Sequence, residues 1–199
     1  MGFKQDSMLI IDTMKLKQKF NYNIIVETGT NKGDSIDVLQ HIFDKVYSCE
    51  LDIKYFPLYK RFSSNSNIKI LRGNSVECLQ QFFNEIGHDK FFIFLDAHWG
   101  SWPINEELKI IAKFNFKPVI IIHDFDCGYE NWGFEKYLDE NNNTIYLNWS
   151  HIRNNIELIY GKKGFKKHVS KESFMTGVQK RGAIYIYPTD NINNESKII

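Results

Sequence analysis

The stretch Ile24–Gln40, "IIVETGTNKGDSIDVLQ", opens as a continuous apolar run, breaks on Gly29 and resumes with the spacing of a helix. Its acid, Glu27, and its two glycines, Gly29 and Gly33, fall at the junction of strand and helix. A run this rich in Ile and Val suits a strand covered on both faces, as in a parallel sheet. The turn after such a strand is the usual ligand contact of an open α/β fold. A dinucleotide turn needs G-x-G-x-x-G, but the chain reads G-T-N-K-G from Gly29, with Asn31 where the second glycine should let backbone approach a pyrophosphate. A nicotinamide or flavin dinucleotide is therefore disfavoured. The absence of G-K-[ST] rules out a Walker loop.

Outward from this junction the same pattern repeats. Apolar runs at "NIIVET" (23–28), "KVYSCEL" (45–51), "IKILRG" (68–73), "FFIFLDA" (91–97) and "PVIIIHDF" (118–125) alternate with segments of helical spacing. Ile36–Leu39–Phe43, Val76–Leu79–Phe83–Ile86 and Ile104–Leu108–Ile111 each make one apolar helix face. This alternation predicts an α/β fold with right-handed crossovers. An opening helix is expected over about residues 5–19. Pro57 places the start of a short second crossover helix near Phe56. After the fifth strand comes a Gly- and aromatic-rich loop, "DCGYENWGF" (126–134). It is followed by a helix with Ser150 as N-cap and Gly161 past its end. Strands at 164–169 and 182–188 close the domain. The division expected is an N-terminal helix over 1–22 packing on the domain, the domain itself over 23–188, and a polar tail over 189–199.

Composition limits the function classes. The chain has 199 residues, 43% hydrophobic and 25% charged, enough for one sizeable core. Lys and Arg at 25 against Asp and Glu at 24 give a net charge of +1, so no global field points to nucleic acid or an anionic membrane. Cys49, Cys78 and Cys127 are odd in number and widely spaced, which fits neither a disulfide framework nor a zinc knuckle. No run reaches membrane-spanning length, no cleavage site follows the N-terminus, and Asp6 stands where a myristoylation signal wants Ser or Thr. The expectation is a soluble, cytoplasmic protein without a membrane or nucleic-acid partner, in which the sequons at Asn142, Asn148 and Asn194 have no role. A homodimer is compatible with this reading.

The order E-T-G-T-x-x-G, Glu50, "RGNS" and "LDAHW" resembles the motifs of class I S-adenosylmethionine-dependent methyltransferases, from roughly Asn23 to Pro188. The resemblance implies a Rossmann-like, seven-stranded, mostly parallel sheet with an antiparallel last strand and helices on both faces. It implies S-adenosyl-L-methionine as cofactor, with its methionine end near the glycine turn (Glu27, Thr28, Gly29, Thr30, Gly33, Asp34, Ser35). Glu50 and Leu51 would lie at the ribose, Asn74 and Ser75 at the adenine edge, and Asp96 at the cofactor's amino group. From the residues alone, Glu50 reads equally as a solvated acid, and Asn74 or Ser75 as the N-cap of the next helix.

"LDAHW" also invites two comparisons at the catalytic end. Asp96 and Trp99 match only the first and last characters of the D-P-P-Y of amino methyltransferases. Catechol-type O-methyltransferases carry an Asp and a His-Trp-like stretch here, with an Asp-Asn pair after strand five that completes a magnesium site. The resemblance thus implies a site for Mg2+ or Mn2+ at Asp96, His123 and Asp124. Two departures stand: His123 replaces the first acid of the pair, and no lysine follows Trp99. Without metal, Asp96 holds the cofactor, His123 makes a structural hydrogen bond, and the candidate bases are His98, His123 and Asp124. Trp99, Trp102 and Trp132 are candidates for the acceptor pocket, with core packing as the rival reading. The segment 160–173 with Lys180 and Arg181 is locally basic and reads either as an anion contact or as a solvated face. The function expected is methyl transfer to a small molecule or sugar building block at oxygen. The alternatives are a non-catalytic module that binds the cofactor, or N-methylation of an amine or nucleobase.

Overall fold

The computed structural model of the chain describes residues 3–97, 102–173 and 179–189. A 3₁₀ turn at Phe3–Gln5 precedes helix α1, Ser7–Phe20. Asp6 caps α1 by accepting from the backbone nitrogens of Met8 (2.9 Å) and Leu9 (3.4 Å). Strands β1 (Ile24–Thr28), β2 (Lys45–Glu50), β3 (Ile68–Arg72), β4 (Phe91–Leu95) and β5 (Val119–His123) follow, with helices α2 (Asp34–Leu39), α3 (Ser75–Ile86) and α4 (Ile104–Lys113) between them. A short hairpin, β6 (Lys136–Leu138) and β7 (Thr144–Tyr146), leads to α5 (Trp149–Tyr160). The edge strands β8 (Phe165–Val169) and β9 (Ala183–Pro188) come last.

The seven-stranded sheet has the order β3-β2-β1-β4-β5-β9-β8. Strands β1 to β5 are mutually parallel, and β9 runs antiparallel to both β5 and β8. Every residue of β1, β4 and β5 is buried, as continuous apolar runs require. One face packs under α3, α4 and α5 through Leu79, Phe82, Leu108, Ile111, Ile152 and Ile156. The other packs under α1, α2 and the 3₁₀ run through Leu9, Leu16, Ile36, Leu39, Tyr59 and Phe62. Phe94 is fully buried, with the Phe3 ring 4.6 Å away, and cutting it to Ala would cost about 3–5 kcal/mol.

Some local expectations differ from what is found. The second crossover is a 3₁₀ run, Ile53–Phe62, starting ahead of Pro57, because Asp52 caps it by accepting from the Lys54 nitrogen at 3.0 Å. The cap of α5 is Asn148, whose side chain accepts from the His151 nitrogen at 3.2 Å; Ser150 lies inside the helix and donates its hydroxyl to Asn148. Beyond the aromatic loop the chain forms the β6–β7 hairpin, whose three-residue strands are too short to carry a hydrophobic period. Residues 190–199, most of the expected polar tail, lie outside the described residues.

The register positions the site. Thr28 pairs with Cys49 and Leu95, Cys49 with Leu71, and Leu95 with Ile122. The next residue on β1, β2, β4 and β5 therefore falls in one row at the carboxyl edge: Gly29, Glu50, Asp96 and His123. That edge, where β1 and β4 separate two oppositely wound halves, is the switch point at which open α/β sheets bind ligands.

Candidate functional site

The glycine turn is built by backbone. The Gly29 and Thr30 nitrogens both donate to the Cys49 carbonyl at 3.0 Å, which folds the chain across the end of β2. Gly29 has φ 87°, and a β-carbon there would lie 2.8 Å from the Asp96 carbonyl oxygen and 3.2 Å from the Ala97 Cα. Glycine is thus required twice, by the left-handed backbone and by the close pass of the chain leaving β4. Asn31 occupies φ 48°, a left-handed position that asparagine tolerates. Tyr59 of the 3₁₀ run donates its hydroxyl to the Asn31 carbonyl at 2.6 Å.

A cavity of about 480 Å³ opens along this edge, a size in the usual range for small-molecule sites. Glu50 is its best-anchored acid. Oε2 accepts from the Asn31 nitrogen at 2.7 Å and Oε1 from the Asp52 nitrogen at 2.8 Å. Each oxygen keeps a second lone pair, so the carboxylate is fixed in place and still able to accept from a ligand diol. Gly29, Leu51, Asn74, Ser75 and Asp96 line the cavity with it. Asn74 also caps α3, its side chain accepting from the Val76 nitrogen at 2.9 Å. The N-cap and wall roles coincide. Tyr55 and Lys54 of the 3₁₀ run, Pro103 and Arg181 complete the wall.

The remaining residues expected at the cofactor do not line the cavity. Glu27 is wholly buried and accepts from the Ser48 hydroxyl at 2.6 Å, which in turn meets the Thr30 hydroxyl at 2.7 Å. Burial lifts its pKa to about 8, with Ser48 opposing and Asp96 adding to the rise, so Glu27 is mostly neutral at pH 7. Thr28 is buried, Gly33 starts α2 at φ 80°, Ser35 acts on Glu27, and Asp34 faces outward near Lys4 at 3.5 Å. These residues support the turn from behind.

At the β4–β5 end four charged side chains meet. His123 Nδ1 is 3.1 Å from Asp96 Oδ1 and 3.1 Å from Asp124 Oδ1. Burial would push the imidazole pKa down, but Asp124 and Asp96 outweigh it and raise it to about 9. The ring is 1% exposed and protonated at neutral pH. Asp124 and Asp96 both line the cavity; Arg181 binds Asp124 Oδ2 at 3.0 Å and Glu135 Oε1 at 2.9 Å. Asp124 Oδ1 is buried without a partner of hydrogen-bond geometry.

Ligand atoms of Asp96, His123 and Asp124 all lie within 4.8 Å of one another, so the donors fit a divalent cation in kind and spacing. His123 would have to give up its proton to serve. The ring cation and Arg181 already balance the two carboxylates.

The residues His98 and Trp99 lie outside the described residues. Trp102 packs 4.5 Å from Tyr137 and 5.6 Å from His151, and Trp132 packs 4.6 Å from Tyr129. These are separate ring clusters, and neither tryptophan lines the cavity. Arg181 was legible only as part of a basic run, and nothing in the sequence pairs it with Asp124, far away in the chain. Tyr55 had no signal beyond its closeness to Glu50.

No protein-family model matches the chain, and comparison with curated proteins gives no significant match. Solved structures do match. The methyltransferase domain of bacterial CtHen1 aligns at TM-score 0.58 with 10% identity, covering 92% of this chain and 98% of that one. A putative caffeoyl-CoA O-methyltransferase from Staphylococcus aureus aligns at TM-score 0.55 with 17% identity, covering 91% and 82%. The plantazolicin methyltransferase BamL, in complex with a triazolic desmethylPZN analog and SAH, aligns at TM-score 0.54 with 13% identity, covering 92% and 84%. The chain has the class I methyltransferase fold.

Proposed function

We propose that this chain, on the class I fold, is an S-adenosylmethionine-dependent methyltransferase that methylates a small molecule or sugar building block at oxygen. The carrying observation is Glu50, held by two backbone nitrogens at the rim of a cavity that also contains the glycine turn and Asp96. Glu50 takes the ribose hydroxyls, Leu51, Asn74 and Ser75 the base, and Asp96 the amino-acid end. The fold supports this reading, and so do relatives in structure whose names include an O-methyltransferase and a complex with the demethylated cofactor.

When bound, the cofactor would supply a methyl group activated by its sulfonium, with a neutral thioether as the leaving group. The chain's part is alignment and exclusion of water. Asp124, which lines the cavity, receives the acceptor's proton; its Oδ1 is buried and lies 3.1 Å from His123 Nδ1. His123 is too buried and too basic to do so at neutral pH; its ring bridges Asp96 and Asp124 and offsets their mutual repulsion. Arg181 fixes the other oxygen of Asp124 and ties the edge to the β6–β7 segment through Glu135.

A second reading rests on the three-donor cluster, in which Asp124 Oδ1 has no partner of hydrogen-bond geometry. Asp96, His123 and Asp124 would hold Mg2+ or Mn2+, which would lower the pKa of an acceptor hydroxyl.

Calorimetry with S-adenosylmethionine, its demethylated product and NAD tests the first reading. The expected result is binding of the first two and none of NAD, followed by turnover on an acceptor panel of hydroxylated small molecules and sugars. Binding of NAD alone overturns the proposal. Cofactor binding without turnover, on hydroxyl or amine acceptors, leaves a binding module.

A further inference from the structure

Tyr59 does not line the cavity, yet it holds backbone that shapes it. On the 3₁₀ run Ile53–Phe62 its ring is buried, 5.1 Å from the Phe56 ring in an edge-to-face pair. Packing alone asks only for a phenylalanine there. The hydroxyl donates to the Asn31 carbonyl at 2.6 Å.

Asn31 needs that contact. It is the first central residue of a turn closed by the Gly33 nitrogen, which donates to the Thr30 carbonyl at 2.8 Å, and its φ of 48° is left-handed. Asparagine enters that region more readily than most residues, but a non-glycine persists there when its surroundings hold it in place. Here they do so on both sides. The Asn31 N–H donates to Glu50 Oε2 at 2.7 Å and its C=O accepts from Tyr59, so both peptide groups flanking its α-carbon are pinned. The direction of the N–H, and with it the seat of Glu50 Oε2, depends on the carbonyl staying where Tyr59 holds it. Glu50 Oε1 has a separate anchor, the Asp52 nitrogen at 2.8 Å.

We propose that Tyr59 is a positioning residue for the ribose diol: by holding the Asn31 carbonyl it keeps the Asn31 N–H on Glu50 and so orients the carboxylate that accepts the two hydroxyls. This rests on the cofactor reading above. The run that carries Tyr59 also places Lys54 and Tyr55 on the cavity wall, and Arg61 near its end donates to the next carbonyl of the turn, Lys32, at 2.7 Å. Run and turn are thus tied at two successive carbonyls. Without the phenol oxygen the Asn31 carbonyl is left to water and the turn is free to leave its left-handed state. One of the two donors that orient Glu50 then goes slack, and the carboxylate regains rotamers that do not meet both hydroxyls. A hydroxyl that only stabilised the fold would act on every ligand of the cavity alike. One that acts through Glu50 separates ligands with the diol from ligands without it.

The test is titration calorimetry with adenosine, which reaches the base and ribose ends, and with its dideoxy analogue, which lacks both ribose hydroxyls. Tyr59→Phe should bind adenosine about three- to tenfold more weakly than the native chain, the equivalent of one neutral hydrogen bond, and the dideoxy analogue equally well. Glu50→Gln removes the group through which Tyr59 acts, so adding Tyr59→Phe to it should cost adenosine nothing further. Tyr47→Phe removes a hydroxyl bonded to Glu85 at 3.2 Å and should bind both nucleosides as the native chain does. Without ligand, amide hydrogen exchange followed by NMR should quicken at Asn31 in Tyr59→Phe and stay native at Asp52. An equal loss of both nucleosides, native affinity for adenosine, additive losses in the double variant or unchanged exchange at Asn31 overturns the inference and leaves the cofactor reading intact. Failure of the native chain to bind the demethylated cofactor overturns both.

Discussion

Replacing Glu50 with Gln tests the cavity at its best-defined point. The carboxylate accepts from the Asn31 nitrogen at 2.7 Å and the Asp52 nitrogen at 2.8 Å, one on each oxygen. Gln can satisfy one of these donors, but its NH2 must then face the other, leaving a backbone N–H without an acceptor. The ligand diol also finds one acceptor where two stood, and the remaining one is neutral. Charged hydrogen bonds contribute about 1.5–3 kcal/mol each, so the loss at the ligand is about 2 kcal/mol, or roughly thirtyfold in Kd. The displaced Asn31 amide belongs to the glycine turn, which adds to the loss. Glu50→Ala removes both acceptors and should be at least as weak. The assay is titration calorimetry with the demethylated cofactor, with far-UV circular dichroism and thermal melting to establish folding. A folded Glu50→Gln or Glu50→Ala chain whose Kd stays within a factor of about three of native would take Glu50 out of the site and with it the principal support for the proposed function.

Three further outcomes are expected. Gly29→Ala should lose cofactor binding and several degrees of Tm, because its β-carbon meets the Asp96 carbonyl at 2.8 Å in a left-handed turn; native Tm and affinity would refute that geometry. Glu27 rises from 4.5 in the unfolded chain to about 8 when folded, so its contribution to stability is fully present below pH 4.5 and is lost as pH rises through 8. His123, rising from 6.5 to about 9, acts in the same direction above pH 6.5. Native Tm should therefore fall between pH 5 and 9, and Glu27→Gln should flatten the part below pH 8; an unchanged slope would mean that Glu27 is ionised in the fold. Methyl transfer should survive chelator treatment in full, since His123 and Arg181 balance Asp96 and Asp124 without an ion; activity lost to chelator and restored by magnesium or manganese would install the metal reading instead.

The sheet was legible because its central strands are buried on both faces and so read as unbroken apolar runs, with helix faces of regular spacing between them. The row Gly29, Glu50, Asp96, His123 follows from that alternation, since each residue sits at the carboxyl end of a strand or one position past it. Elements too short to carry a period escaped. Strands β6 and β7 alternate exposed, half-buried, exposed over three residues each, which no hydrophobic pattern registers. The cap of α5 slipped because Asn148 and Ser150 are both good caps two residues apart. The Arg181–Asp124 pair is invisible in one dimension, because it depends on β9 lying beside β5.

The opening acid has a different part from the one its position suggested. Glu27 does not line the cavity: it is buried, largely neutral and bonded through Ser48 toward Thr30, beneath the turn. The acid placed on the cavity is Glu50, which occupies the Asn31 amide. In a turn that binds pyrophosphate, the free backbone amides after the strand point at phosphate oxygens. Here the Gly29 and Thr30 amides are spent on the Cys49 carbonyl and the Asn31 amide on Glu50. The turn offers phosphate no vacant donor among these three amides, and Glu50, Asp96 and Asp124 present carboxylates in the same cavity. A dianionic pyrophosphate would meet like charge, whereas a ligand with a diol and a cationic centre meets acceptors and opposite charge. The preference against a dinucleotide thus comes from where the turn's hydrogen bonds go, and it would hold even if Asn31 were glycine.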